Sequence, residues 1–158
     1  MSPELAETVR PMGSELVELE GEARAFRKQG RFADAIRVLS TIVQREPGWE
    51  HGLCHYEMAI CYEGLGMYQE ARDCFRRALS FEPNNTIYLG GLASHLYLHG
   101  SAIEAFEAHL NLLRSEASVR DVYGMEQTKI ALNALAKKLG LSEQEARNRL
   151  KSAGVETK

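Results

Sequence analysis

Three stretches of this chain can be laid over one another: QGRFADAIRVLSTIVQREP, LGMYQEARDCFRRALSFEP and HGSAIEAFEAHLNLLRSEA. In that alignment Gly30, Gly66 and Gly100 coincide, followed five residues later by Ala35, Ala71 and Ala105, and four beyond that by Leu39, Phe75 and His109. Each glycine is preceded by a small residue at seven positions (Ala23, Ala59, Ala93) and a bulky one at four (Phe26, Tyr62, Leu96). The first two units close on Pro47 and Pro83, the third on Ala117. The glycines are 36 and then 34 residues apart, so two additional residues fall near Trp49 to His51. A unit of this length cannot bury its own apolar face, so copies must stack on one another.

Within each unit the apolar residues recur every three or four positions, which gathers them on one face of a helix. Each helix spans about four turns, too short to be stable alone, and must pack its apolar stripe against neighbours. Ala23, Ala59 and Ala93 let two helices approach closely, while Phe26, Tyr62 and Phe75 fill the space beside them. Gly30, Gly66 and Gly100 are expected to end the first helix of each pair in the left-handed conformation. Pairs of antiparallel helices, stacked one on the next, follow from these features.

The order Leu or Trp, small residue, Tyr, Ala, Phe, Pro over 34 residues resembles the tetratricopeptide repeat. CHYEMAICYEGLGMYQEARDCFRRALSFEPNN matches a whole unit, and the resemblance extends over residues 16–117. It implies an all-α fold, a right-handed α-solenoid of three repeats (16–49, 52–85, 86–117) between an N-terminal segment (1–15) and a C-terminal capping helix pair with its tail (118–158). The cap is expected from an apolar run between Val119 and Leu139 that includes Ile130, Leu132, Leu135 and Leu139, stopped by Gly140. A last helix then starts at a capping box between Ser142 and Glu145. At the other end Ser2, Pro3 and Glu4 suggest a short helix broken by Pro11 and Gly13, with Ser14 capping the first repeat helix.

A chain of 158 residues with 44% hydrophobic and 26% charged residues folds as one domain without needing disulfides or metals. Its three cysteines, Cys54, Cys61 and Cys74, lie within apolar helical patterns and read as reduced thiols. MSPELAETVRPM has no basic patch followed by an apolar core, and no window approaches a membrane span, so the expected location is cytoplasmic, away from membranes. A net charge of −3 with interspersed signs offers no field for a phosphate backbone, so no nucleic-acid partner is expected.

Histidines pair at helical spacing, His51 with His55 and His95 with His99, the spacing that two metal ligands on one helix face require. The metalloprotease motif needs glutamate after the first histidine, whereas Gly52 and Leu96 follow here. HGLCH lacks the first cysteine of a haem attachment sequence, and the Cys54 to Cys61 spacing is unlike a zinc knuckle. The expectation is therefore no metal and no cofactor, with a metal or haem site at His51, Cys54, His55, His95 and His99 as a lesser reading. GxSxG, glycine-rich phosphate loops and HExxH are all missing from the sequence, so no catalytic residues are assigned and the chain is not expected to be an enzyme.

In the resembled family the first helix of each pair lines the concave side of the superhelix, where ligand peptides lie. By register this implies a groove of Val17, Glu20, Arg24, Arg27 and Lys28 from the first repeat, Leu53, Tyr56, Ile60 and Glu63 from the second, and Ile87, Gly90, Ser94, Tyr97 and Leu98 from the third. Tyr56, Ile60 and Tyr97 are expected to be substantially exposed, and Arg24, Arg27 and Lys28 to form a basic rim. The implied function is an adaptor or chaperone-like module that holds a peptide or helix of another protein. The alternative is a self-associating protein, a homodimer for example, or one whose groove is filled by its own Leu5, Val9 and Met12. Members that clamp a chaperone's C-terminal carboxylate use lysines, asparagine and arginine on successive first helices. At those places this chain has Glu20, Arg24, Glu57, Ile87 and Gly91, which argues against such tails. The type III secretion chaperones for translocators resemble the chain in outline.

Overall fold

The computed structural model describes residues 12–154. Those residues form eight α-helices and no strand: α1 (Met12–Lys28), α2 (Phe32–Arg45), α3 (Leu53–Gly64), α4 (Tyr68–Phe81), α5 (Thr86–His99), α6 (Ala102–Ser118), α7 (Val122–Lys138) and α8 (Glu143–Ser152). From α1 to α7 each helix packs on the one before and after it, so these residues form a solenoid of stacked helical hairpins. Ala35, Ala59, Ala71 and Ala93 are completely buried, and Phe75 lies among them at the centre of the second hairpin. The small side chains permit the close packing and the aromatic ring fills the space between helices.

The turns inside the hairpins are of two kinds. Gly30 and Gly66 adopt φ of 73° and 72°, the left-handed conformation that closes a helix without steric cost. Gly100, expected to do the same, is extended at φ −107° and ψ −174°. The reason is local: a capping box at Ser101 and Glu104 starts α6 at once, and the chain must straighten to place the serine hydroxyl over the amide of Glu104. A side-chain carbon on Gly100 would also lie only 2.8 Å from the carbonyl oxygen of Leu96.

The two additional residues between the first and second repeats form a 3-10 turn at Trp49–Gly52. Glu50 and His51 both take positive φ, 49° and 52°, before Gly52 at 94°. Non-glycine residues in this region carry strain. Here the turn presses Gly52 against α4, where a Cβ would meet the Ala78 carbonyl oxygen at 2.9 Å.

At the N-terminal end, α1 already includes Gly13 and Ser14, so Ser14 lies inside the helix and does not cap it. Gly13 does not break the helix, and a Cβ added there would lie 4.0 Å from the Trp49 ring. The short helix expected at Ser2 to Glu4 and the self-filling role expected of Leu5 and Val9 fall outside the described residues. At the other end Gly140 closes α7 at φ 69°, and the Ser142–Glu145 capping box starts α8 as expected. Within α7, Leu132 and Leu135 are buried, but Ile130 is 63% exposed and does not join the capping stripe. Ile130 stands two residues from Leu132 and so on the other side of the helix, whereas Thr128, four residues before Leu132, lies on the buried stripe and its hydroxyl donates to Glu116 Oε1 at 3.0 Å.

Candidate functional site

The first helices of successive pairs lie side by side. Arg27 Nε reaches Glu57 Oε2 at 2.8 Å from α1 to α3, and His95 Nδ1 meets Glu63 Oε1 at 2.7 Å between α5 and α3. The expected groove residues lie on these three helices, and they differ sharply in what they expose.

On α1 the polar groups satisfy one another. Arg24 lies 3.4 Å from Glu20, whose other oxygen accepts from the Trp49 indole N–H at 3.4 Å. Arg27 is held by Glu57, so the expected basic rim of three cations is reduced to the exposed Lys28 and a partly neutralised Arg24. Pairing removed the rim: Glu20, four residues before Arg24 on the same helix, and Glu57 on α3 were within reach.

On α3 the expected exposure is not found. Tyr56 is half-buried, stacked on Tyr88 with centroids 5.2 Å apart and set edge-on to Phe75 at 5.7 Å. Leu53 and Ile60 are half-buried as well. Tyr56 is drawn inward by Gly91 of α5, where an added Cβ would lie 2.7 Å from both the Tyr56 and Phe75 rings. Sequence reasoning placed Gly91 on the helix but missed its role. The signal was the adjacent pair Gly90–Gly91, since two glycines inside a helix are costly unless something must come close.

On α5 the expected second apolar face is open. Ile87 is 63% exposed, Tyr97 44% and Leu98 71%. Between them Ser94 is exposed, and Gly90 meets only the Leu112 methyl at 4.0 Å, leaving a dent in the surface. Leu89, Leu92 and Leu96 occupy the opposite face of the same helix and pack into the core. The edge of Tyr97 rests on His109, with ring centroids 5.9 Å apart. This contact orients the phenol without burying it.

The histidines act as aromatic and hydrogen-bonding side chains. His55 stacks on Phe81 at 5.7 Å, and His99 stacks on Tyr68 at 3.7 Å. Burial lowers the pKa of His55, with Arg77 adding to the effect, and burial lowers that of His109, whose Nδ1 donates to the Ala105 carbonyl at 2.7 Å. Burial pushes the Cys54 thiol up to about 12 and Cys61 and Cys74 to about 11, so none is a ready nucleophile. Among the described residues no group of three or more His, Cys, Asp or Glu is placed to hold a metal ion. No described helix is long and apolar enough to cross a membrane.

Residues 52–85 match the tetratricopeptide repeat family. No curated protein sequence matches the chain. Among solved structures, the fold is similar to a chain in the crystal structure of a T3SS complex from Aeromonas hydrophila, with a TM-score of 0.72, 13% identity, and 82% of this chain and 85% of that one covered. It is also similar to the Sgt2 TPR domain from Aspergillus fumigatus, with a TM-score of 0.66, 17% identity and 80% of each chain covered. Tetratricopeptide repeats are scaffolds for protein–protein contacts. The chain thus carries a tetratricopeptide repeat at residues 52–85 and has, as a whole, the fold of known tetratricopeptide-repeat domains.

Proposed function

We propose that the chain holds a peptide or helical segment of another protein against the face made by its first helices, with α5 as the principal contact. The observation that carries this reading is the group of exposed apolar side chains Ile87, Tyr97 and Leu98 around the small residues Gly90 and Ser94. A surface with large apolar anchors beside small residues accepts an inserted side chain, and such anchors carry most of an interface's energy. Leu53, Tyr56 and Ile60 support the floor of this face and contribute less directly. Arg24, Arg27 and Lys28 form its polar margin. The setting is cytoplasmic, in keeping with three thiols, two of them buried.

The test is affinity for a partner identified by capture, measured with the wild type and with Tyr97→Ala/Leu98→Ser. A loss of at least about 2 kcal/mol with unchanged melting supports the reading. Unchanged affinity in a folded double mutant contradicts it. A wild type that runs as a stable dimer in light scattering, and reverts to monomer in the double mutant, would instead make a second copy the occupant.

A further inference from the structure

The three repeats treat one position differently. In the second, Phe81 near the end of α4 packs back on the start of its own repeat. Its ring stacks on His55 with centroids 5.7 Å and an interplanar angle of 15°, closes on Gly52 and Gly48, and lies under the Arg77 guanidinium at 5.7 Å. In the first repeat the same place holds Arg45, which reaches back to Glu15 at 2.8 Å. The third repeat has Ser115 there, thirty-four residues after Phe81. Leu89 stands where His55 does, and Asn111 where Arg77 does.

Serine cannot fill the space of a phenyl ring. Its hydroxyl donates to the Asn84 carbonyl at 2.6 Å, and beside it lies a cavity of about 460 Å³ lined by Pro83, Asn84, Leu89, Asn111, Arg114 and Ser115 among others. A cavity of about 150 Å³ suffices for benzene, so this one admits a ring together with the chain that carries it. Arg114 is fixed at the rim, its Nε donating to the Ala153 carbonyl at 2.9 Å. A second cavity of about 370 Å³ shares Pro83, Leu89 and Asn111 and continues along Leu79 and Leu92 on one side and Arg76, Glu104 and Glu107 on the other.

We infer that this cavity is a docking site for an aromatic side chain of a partner polypeptide, which supplies in trans the ring that the second repeat supplies for itself. The occupant is aromatic because the equivalent space, built on the same backbone, is filled by Phe81 against one ring and beneath one guanidinium. At the empty site Leu89 provides the apolar wall, and Arg114 provides a cation at the mouth that favours the face of a ring. The partner's residues next to the ring meet a mixed wall, Leu79 and Leu92 beside Arg76, Glu104 and Glu107. The site involves the face of α5 opposite Ile87 and Tyr97, so it is independent of the groove proposed above.

The probe is N-acetyl-phenylalanine methylamide, titrated into the ¹⁵N-labelled full chain, with N-acetyl-alanine methylamide as control. The expected result is saturable shifts of the Asn84 and Asn111 side-chain amides and the Ser115 backbone amide, at millimolar probe, with none from the alanine compound. Ser115→Phe, which places the ring in cis, is expected to abolish these shifts. Ser115→Ala, which keeps the cavity and loses only the hydrogen bond to Asn84, is expected to retain them, and it keeps the test decisive if Ser115→Phe does not fold. No saturable shift in the wild type overturns the inference, as do equal shifts from both compounds or shifts that survive in a folded Ser115→Phe. If the same resonances move when the wild type alone is diluted, a second copy fills the site and the foreign partner is wrong.

Discussion

The first helices of the first and third repeats occupy equivalent places in the stack and present opposite surfaces. On α1, Glu20 meets Arg24 and Trp49, while Arg27 crosses to Glu57 on α3, so the polar groups close that part of the face on itself. On α5 the corresponding positions carry the uncharged Ile87, Gly90, Ser94, Tyr97 and Leu98, whose large apolar side chains are exposed, with the Tyr97 edge resting on His109. The lesson is that a repeat dictates where helices go and leaves open what each one shows. Equivalent positions become a closed surface when their side chains can satisfy one another, and an open one when only burial by something else would do so.

The largest effects are expected where the two regions join. Gly91→Ala drives a methyl to 2.7 Å from the Tyr56 and Phe75 rings, and Ala93→Leu overfills a completely buried helix contact. Each is expected to destabilise the fold by about 1–3 kcal/mol in denaturant melts. Gly90→Ala, one residue away, is expected to do the reverse. Its added carbon meets only the Leu112 methyl at an ordinary 4.0 Å, and the helix gains about 1 kcal/mol from losing a glycine. Equal destabilisation by Gly90→Ala and Gly91→Ala would erase the distinction between the dent and the contact behind it.

A smaller effect concerns acid. Burial lowers the pKa of His109 from its usual 6.5, so the folded chain takes up this proton less readily than the unfolded chain. The stability tied to neutral His109 is complete above about 6.5 and is lost as pH falls through the lowered value. His109→Phe restores the aromatic type that Phe75 has at the matching place, and it is expected to flatten stability between pH 7 and pH 5. Undiminished acid sensitivity of that variant would assign the effect to His55, whose pKa is also lowered by burial. The smallest effect is that of salt. With Arg24 and Arg27 already paired to carboxylates, partner association is expected to slow less than about twofold on raising ionic strength from about 0.05 to 0.15 M. A steep salt dependence in stopped-flow association would restore the basic rim as a working part of the site.

The stacking of the hairpins was legible in the chain because it rests on short-range rules: the glycine and alanine register, the helical periodicity and the Ser142–Glu145 capping box. The same rule was available for Ser101 and Glu104, and there it would have foretold the extended Gly100. The extra residues near Trp49 were legible as a change of spacing, whereas their left-handed turn was not, since Glu50 and His51 have no intrinsic preference for it. The surface was less legible still. Tyr56 and Tyr97 look alike at helical spacing, and only the neighbouring Gly91 decides that one ring turns inward. Ile130 belongs to the apolar run but faces away from Leu132 and Leu135, and the stripe is completed by Thr128, whose hydrogen bond to Glu116 on α6 no local pattern announces. The open space beside Ser115 depends on comparing repeats at a position that defines neither helix.

The central claim is that a partner lies on α5 and not on α1, and site-specific photo-crosslinking measures this most directly. A benzophenone amino acid is introduced singly at Ile87, Leu98, Val17 and Arg24, all exposed, and each folded variant is irradiated with the partner present. The account predicts crosslinked product from positions 87 and 98, and little or none from 17 and 24. Crosslinks confined to 17 and 24, with none from 87 and 98, would contradict it.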